Sequence, residues 1–418
     1  MRITLIVLLA CTLLISGCGI NPVTGKSQIT FMSQSQEIAL GEKQYGPSQQ
    51  SQGGVYRVDK HLNDYVNRIG QALAKHSEQP NLPYEFVVLN NGVPNAWALP
   101  GGKIAINRGL LLIMEDEAQL AAVLGHEIVH AAARHGAEQS AKRTGIQLLG
   151  AILQSQTNNN LYQQGVALGG GAAQAHYSRS DEFDADYYSL NYMVAEGYDP
   201  QGAVELQQAL VELAKDSKKS DWLSRLMATH PPSEERAKRN QKRANELPKG
   251  KRNKAAYQKA IAQVKKDQKA YELNDQADQA ARKKEWDKAL SLSNQAIKLQ
   301  PREARFHITK GRILDSKKDH ANAIKAFNLA ATLEPNYFGS RFYRGVSYHA
   351  NKNYKAAESD LLAANKLLET GVAYYYLGEI AENKKQRQAA ITYYQTAARS
   401  GGDVGKAASA RLRKMGVR

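Results

Sequence analysis

The sequence predicts a mainly α protein in two parts, an α+β domain with a small β-sheet followed by an all-α solenoid, and three observations carry that prediction. A helix-periodic run holds His126-Glu127-Ile128-Val129-His130. Short β-prone runs precede it, from Tyr84 to Leu89 and from Lys103 to Asn107, with turn chemistry in Pro100-Gly101-Gly102. From about Tyr271 onward small residues return every 33 or 34 positions, the length of a helix-turn-helix unit. With 418 residues, 42% of them hydrophobic, two or three domains with globular cores are expected.

At the start of the chain, Met1-Arg2, the apolar stretch Ile3 to Ile15 and Ser16-Gly17-Cys18 form a secretory signal whose end resembles a bacterial lipobox. It is too short for a comfortable membrane span, so residues 1–17 are expected to be cut away and Cys18 to carry the lipid. Diacylglycerol plus an amide-linked chain exceeds the two acyl signals that stable anchoring takes. Gly19 follows Cys18 where a retention signal would have aspartate, which favours the outer membrane, periplasmic face. Cys11 and Cys18 are the two cysteines, so processing leaves no thiol pair for a disulfide.

Between Asp116 and His135, Leu120, Val123, Leu124, Ile128 and Ala131 are spaced three and four apart with no proline, which predicts a helix. His126 and His130 then share a face at i and i+4, where two imidazoles can hold one zinc ion with Glu127 beside it. That is the core of a hydrolytic metal site. Gly125 costs roughly 1 kcal/mol of helix propensity against alanine, which points to close packing there. His135 falls about 140° round the helix from His130 and is expected to take no part. The longer pattern HExxHxxGxxH is not met, so a third ligand comes from elsewhere.

The run from Arg179 to Asp186 reads as the start of a second helix, reaching about Glu196 and closed by Gly197. Glu182 and Asp186 are four apart on one face, so Glu182 could supply the third ligand while Asp186 orients an imidazole. An acidic first turn facing water, favoured by the helix dipole, fits the same residues. Taken together with the histidine helix, the metal reading is the stronger.

Three motifs in order, Asn95-Ala96-Trp97-Ala98-Leu99-Pro100-Gly101-Gly102, then Gly125-His126-Glu127 with His130, then Arg179-x-x-Glu182-x-x-Ala185-Asp186, resemble metallopeptidase family 48 over roughly residues 35–240. The resemblance implies a zincin-like metalloprotease domain that binds one Zn2+ per chain. His126, His130 and Glu182 are then the ligands, Glu127 the general base and Asp186 a partner of a ligand imidazole. It also implies that the edge strand with Asn95, Ala96, Trp97 and Ala98 faces the cleft, where an extended substrate adds as a further strand. The alternative is that this hairpin is only core. His230-Pro231-Pro232-Ser233-Glu234-Glu235-Arg236 has family character too. Arg236 is a candidate for stabilising the oxyanion of peptide hydrolysis, and His230 for a fourth ligand that closes the site when no substrate is present. A histidine before two prolines equally fits a rigid loop or a helix start.

The net charge of +16 is unevenly spread. The first 200 residues are slightly acidic, and the basic excess lies beyond them, densest from Lys215 to Lys269. Residues 241–269 are expected to be a basic helical linker. Such a run suits anionic lipid or acidic polypeptide. Nucleic acid is not an expected partner, because a secreted lipoprotein rarely meets it and no zinc-finger or aromatic-interleaved basic motif is present. After the signal no run approaches 18 apolar residues, so the membrane is expected to be reached through the lipid anchor alone.

In the last part, Gly311, Gly345 and Gly378 recur 34 and 33 residues apart, and Pro301 and Pro335 are 34 apart. Ala289, Ala323, Ala357 and Ala390 keep the same phase, each followed seven residues on by Ala296, Ala330, Ala364 and Ala397. These are the small-residue positions of a tetratricopeptide-repeat solenoid, placed where helices cross closely. Repeats are expected near 270–303, 304–337, 338–370 and 371–404, with Lys406 to Met415 as a capping helix. Tyr374, Tyr375, Tyr376, Tyr393 and Tyr394 are candidates to line its concave face or to fill its core.

The expected function is a zinc-dependent endopeptidase of the bacterial periplasm that hydrolyses misfolded or stalled envelope proteins, a protein quality control activity. Unfolded or misassembled envelope polypeptides are the expected substrates, and the repeats are expected to reach them or an outer-membrane assembly machinery. The alternative is a chaperone-like adaptor with a latent or regulatory metal site. Residues 154–176, with Asn158-Asn159-Asn160 and Gly169-Gly170-Gly171, read either as a cover near the cleft or as disorder.

Overall fold

The computed structural model describes residues 18–142, 177–216 and 230–417. The expected signal at 1–17 and the expected cover at 154–176 lie outside the described residues. The chain divides into two units, Met1–Ser48 with Lys60–Ala262 and Gln49–Asp59 with Gln263–Arg418.

In the first unit a short hairpin pairs β1 (Cys18–Ile20) with β2 (Ser27–Ile29), and α1 (Gln34–Ser51) follows. α2 (Lys60–Ala74) buries Leu62, Val66, Ile69 and Leu73, a helical stripe that lies against the sheet. That sheet has the order β3-β5-β4 from β3 (Glu85–Leu89), β4 (Ala96–Leu99) and β5 (Lys103–Asn107). β5 runs parallel to β3 and antiparallel to β4, and as the central strand it is buried throughout. The tight β4–β5 connection needs left-handed backbone at Gly101 (φ 78°) and Gly102 (φ 85°), which glycine adopts freely.

β4 is thus an edge. The Asn95 carbonyl accepts from Asn107 N–H, so alternate peptide groups face β5, and the Ala96 and Ala98 groups face the open side. There the Ala98 carbonyl accepts from the Tyr177 hydroxyl at 3.5 Å.

After α3 (Arg108–Leu111) comes α4 (Glu117–Ala132), capped by Asp116, whose carboxylate accepts from Gln119 N–H. α5 (Arg179–Ala195) starts at a capping box between Ser178 and Asp181. The two helices touch at Gly125, where a Cβ would sit 3.3 Å from that of Ser189. The missing side chain lets α4 and α5 approach. α6 (Gln201–Asp216), α7 (Glu234–Ala244) and α8 (Lys254–Ala260) complete the unit.

The stretch expected to be a basic linker is packed instead. Lys251 N–H donates to the Gly197 carbonyl, Arg252 Nε donates to Asp116 at 2.8 Å and Nη1 to Glu205 at 3.0 Å, and Tyr257 donates to the Leu111 carbonyl. Its cations answer carboxylates at the start of α4 and on α6, which composition alone does not reveal. The boundary accordingly falls at Ala262.

The second unit is the predicted solenoid. Its helices are α9 (Ala262–Arg282), α10 (Trp286–Leu299), α11 (Ala304–Ser316), α12 (His320–Leu333), α13 (Phe338–Ala350), α14 (Tyr354–Leu367), α15 (Gly371–Asn383) and α16 (Arg387–Arg399). α17 (Gly402–Lys414) closes it, starting four residues before the capping helix expected from Lys406. Every turn within a helix pair holds a left-handed lysine: Lys284, Lys318, Lys352 and Lys385. The phased alanines are all fully buried, and a Cβ on Gly378 would come within 2.6 Å of the Tyr394 ring. Tyr394 is therefore core, not groove lining. Among the described residues no helix is long and apolar enough to cross a membrane.

Candidate metal centre

α4, α5 and the loop before α7 bring four ligand-type side chains to one point. Nε2 of His126 and Nε2 of His130 are 3.0 Å apart, and Nδ1 of His230 is 3.3 Å from the former. Glu182 Oε1 lies 3.3 Å from His130 Nε2 and 3.0 Å from His230 Nδ1. All four ligand atoms lie within 4.8 Å of one another. A tetrahedron with metal–ligand bonds of about 2.0 Å has edges of about 3.3 Å, so this donor set fits a small divalent cation. Facing imidazole nitrogens at these distances need a proton or a cation between them.

Glu127 lies on the same helix, 2% exposed, and its Oε2 has no hydrogen-bond partner among the described residues. It is the carboxylate beside the cluster that belongs to no ion pair with an arginine or lysine there.

A further layer fixes the ligands. Asp186 Oδ1 accepts from His126 Nδ1 at 3.1 Å, so Nε2 is the nitrogen left for a metal. Arg236 Nε and Nη2 donate to the two Asp186 oxygens, each at 2.7 Å, and Nη1 lies 2.7 Å from Glu182 Oε2. Arg236 Nη1 also donates to the Pro231 carbonyl at 3.2 Å, so it holds the His230 loop as well.

With that geometry established, similarity to known proteins decides the family. Residues 60–244 match the sequence profile of Peptidase family M48, and residues 274–338 that of a tetratricopeptide repeat. The chain carries an M48 peptidase domain followed by tetratricopeptide repeats. Similar curated proteins include the beta-barrel assembly-enhancing protease of Escherichia coli (strain K12), 28% identical over 235 residues, covering 54% of this chain and 47% of the relative. The mitochondrial metalloendopeptidase OMA1 of Arabidopsis thaliana is 33% identical over 180 residues, covering 43% of this chain and 36% of the relative. The chain spans about half the length of the assembly-enhancing relatives it matches. Among solved structures, MamA of Desulfovibrio magneticus RS-1 is similar at 21% identity and a TM-score of 0.31, covering 35% of this chain and 93% of that one.

Within the M48 domain, burial and partners set opposite protonation preferences. Burial lifts the Glu127 pKa, with His230 and His126 opposing. Glu182 is as buried, yet His230 and His126 outweigh that and hold it well below the ordinary carboxylate range. Asp186 is likewise lowered, burial being overcome by Arg236. Burial would depress His126, but Glu182 and Asp186 hold it up, at about 10; His130 is driven well below its ordinary value by burial.

Two residues escaped the sequence reading. His135 was expected not to share the metal and is not among the four ligand-type side chains, yet it is buried with its Nδ1 2.9 Å from His130 Nδ1, a contact the sequence did not show. The helix ends at Ala132 and Arg134 is left-handed (φ 61°), so a helical wheel misplaces His135. Tyr177 stacks on the His130 ring, with centroids 3.7 Å apart. No spacing signal marks it. Arg236, read from sequence as an oxyanion stabiliser, directs its donors to Asp186, Glu182 and Pro231.

Proposed function

We propose that the M48 domain is a zinc-dependent endopeptidase acting on unfolded polypeptide. The observation that carries this is the convergence of His126, His130, Glu182 and His230 beside Glu127, whose Oε2 has no hydrogen-bond partner among the described residues. Imidazole and carboxylate ligands in a tetrahedral arrangement favour zinc, which when bound supplies a Lewis acid for the attacked carbonyl and acidifies the attacking water. His126, His130 and Glu182 hold it. Glu127 would take the proton of the attacking water and deliver it to the leaving amine. Asp186 orients His126, and Arg236 positions Asp186 and Glu182 in place of touching the reacting carbonyl.

Substrate is proposed to bind extended along β4, through the Ala96 and Ala98 peptide groups, with Trp97 packed beneath against Tyr45. Such pairing reads backbone, so broad sequence tolerance follows. The lipobox-like residues before Cys18 and the kinship with assembly-enhancing proteases support a periplasmic, outer-membrane lipoprotein that removes misassembled envelope proteins. The repeats support docking to those substrates or to an assembly machine.

His230 supports a second, resting state. Its Nδ1 lies 3.3 Å from His126 Nε2 and 3.0 Å from Glu182 Oε1, where it would take the place of the attacking water on a bound metal, the arrangement of a latch. His230→Ala is expected to raise cleavage of an unfolded outer-membrane protein severalfold; unchanged or lower activity removes the latch. The endopeptidase itself is tested by chelation: cleavage is expected to stop on metal removal and return with one equivalent of zinc, and chelator-resistant cleavage contradicts it.

A further inference from the structure

A cleft of about 610 Å³, measured to its open mouth, adjoins the centre on the His126 and Glu127 side. Among the described residues the side chains of the centre, with Ser189 and Asn240, form its polar part, and the rest of its wall is apolar: Leu110, Val123, and on α6 Ala203, Leu206 and Leu210, which with Gln207 form one stripe at helical spacing. Gln207 is the polar member of the α6 stripe. It is 6% exposed, lines the cleft, and its Nε2 has no hydrogen-bond partner among the described residues. A buried donor without a partner costs stability, which an acceptor arriving with a ligand offsets.

We infer that this cleft is the subsite for the residue whose amine leaves, that it selects an apolar side chain there, and that Gln207 extends the choice to a side chain ending in an acceptor. The inference rests on the endopeptidase reading. Glu127 hands its proton to the departing nitrogen, so that residue's Cα must lie next to Glu127, and the cleft that Glu127 walls is where its side chain goes. The strand direction agrees. Ala96 borders this cleft, whereas Ala98, Leu99, His130 and Tyr177 border a smaller hollow on the far side of the centre. A substrate antiparallel to β4 passes the His130 side first and Ala96 afterwards, which puts the residues after the cut beside Glu127. An acidic side chain is disfavoured, because the Glu127 carboxylate stands at the mouth while Arg236 is already paired to Asp186 and Glu182.

The test uses the full-length, zinc-loaded protein and internally quenched peptides identical except at the residue after the cut: Leu, Phe, Gln, Gly or Asp. Leu and Phe are expected to exceed Gly in kcat/KM by about tenfold or more, the discrimination an apolar pocket supplies, with Asp last. Leu210→Trp narrows the cleft and is expected to invert the order of the Phe and Gly peptides. Leu206→Ala widens it and is expected to raise Phe relative to Leu. Gln207→Leu is expected to cost the Gln peptide about tenfold relative to the Leu peptide. A flat wild-type profile, or variant profiles that match wild type, overturns the subsite while leaving the endopeptidase standing. No cleavage of any peptide by wild type, matching Glu127→Gln, overturns the endopeptidase reading and the subsite with it.

Discussion

Both units bury carboxylates, and the Glu182–Asp186 pair of the first and Glu334 of the second are treated in opposite ways. In the M48 domain His230, His126 and Arg236 stand against Glu182 and Asp186 and lower both, Glu182 well below the ordinary carboxylate range. In the repeats Glu334 is also buried, and burial together with the neighbouring Glu303 carboxylate pushes it up to about 8 despite Arg57. The difference teaches what the M48 centre is built for. Holding charge inside a protein needs dedicated counter-charge, and the domain supplies an arginine and histidines that keep Glu182 and Asp186 anionic.

The largest break in this contrast is expected from Arg236→Met, which leaves Glu182 and Asp186 buried without their cation. Thermal melting is expected to show a loss of about 3–5 kcal/mol, with weakened zinc binding. A melt like that of wild type contradicts the role given to Arg236.

The repeats are expected to break by shape, not charge. Gly378→Leu forces a side chain into the Tyr394 ring and should cost about 1–3 kcal/mol in the repeat transition. Zinc content and peptide cleavage should remain. Loss of zinc from this variant contradicts the separation of the two units' tasks.

Smallest is a pH effect. Because the folded Glu334 pKa of about 8 lies above the ordinary carboxylate value of 4.5, the folded repeats hold a proton that the unfolded chain releases between those limits. Stability is therefore greatest at the acid end of that window and falls as pH rises, by about 1 kcal/mol from pH 7 to pH 8. Glu334→Gln is expected to flatten the dependence; a melt that rises with pH in wild type reverses the sign and removes the account.

The same contrast explains what was legible in the sequence. Each repeat meets the same local demand, so Gly311, Gly345 and Gly378 and the phased alanines announce the solenoid by period alone. In the M48 domain the i, i+4 relation places His126 and His130, because both belong to one helix. Glu182, His230 and Arg236 came with the family motifs, since no periodicity spans the separations between residues 126, 182 and 236. His135 was lost at a left-handed turn, and the packed linker through charge pairs such as Arg252 with Asp116, which are 136 residues apart. Long-range convergence has no local signature.

The most direct measurement is zinc content and hydrolysis of a denatured outer-membrane protein on one preparation of Glu127→Gln. One zinc per chain is expected to remain while turnover falls about 100-fold or more, the contribution of a positioned base. Turnover at the wild-type rate with zinc in place contradicts the role of Glu127, and with it the claim that this centre hydrolyses peptide bonds.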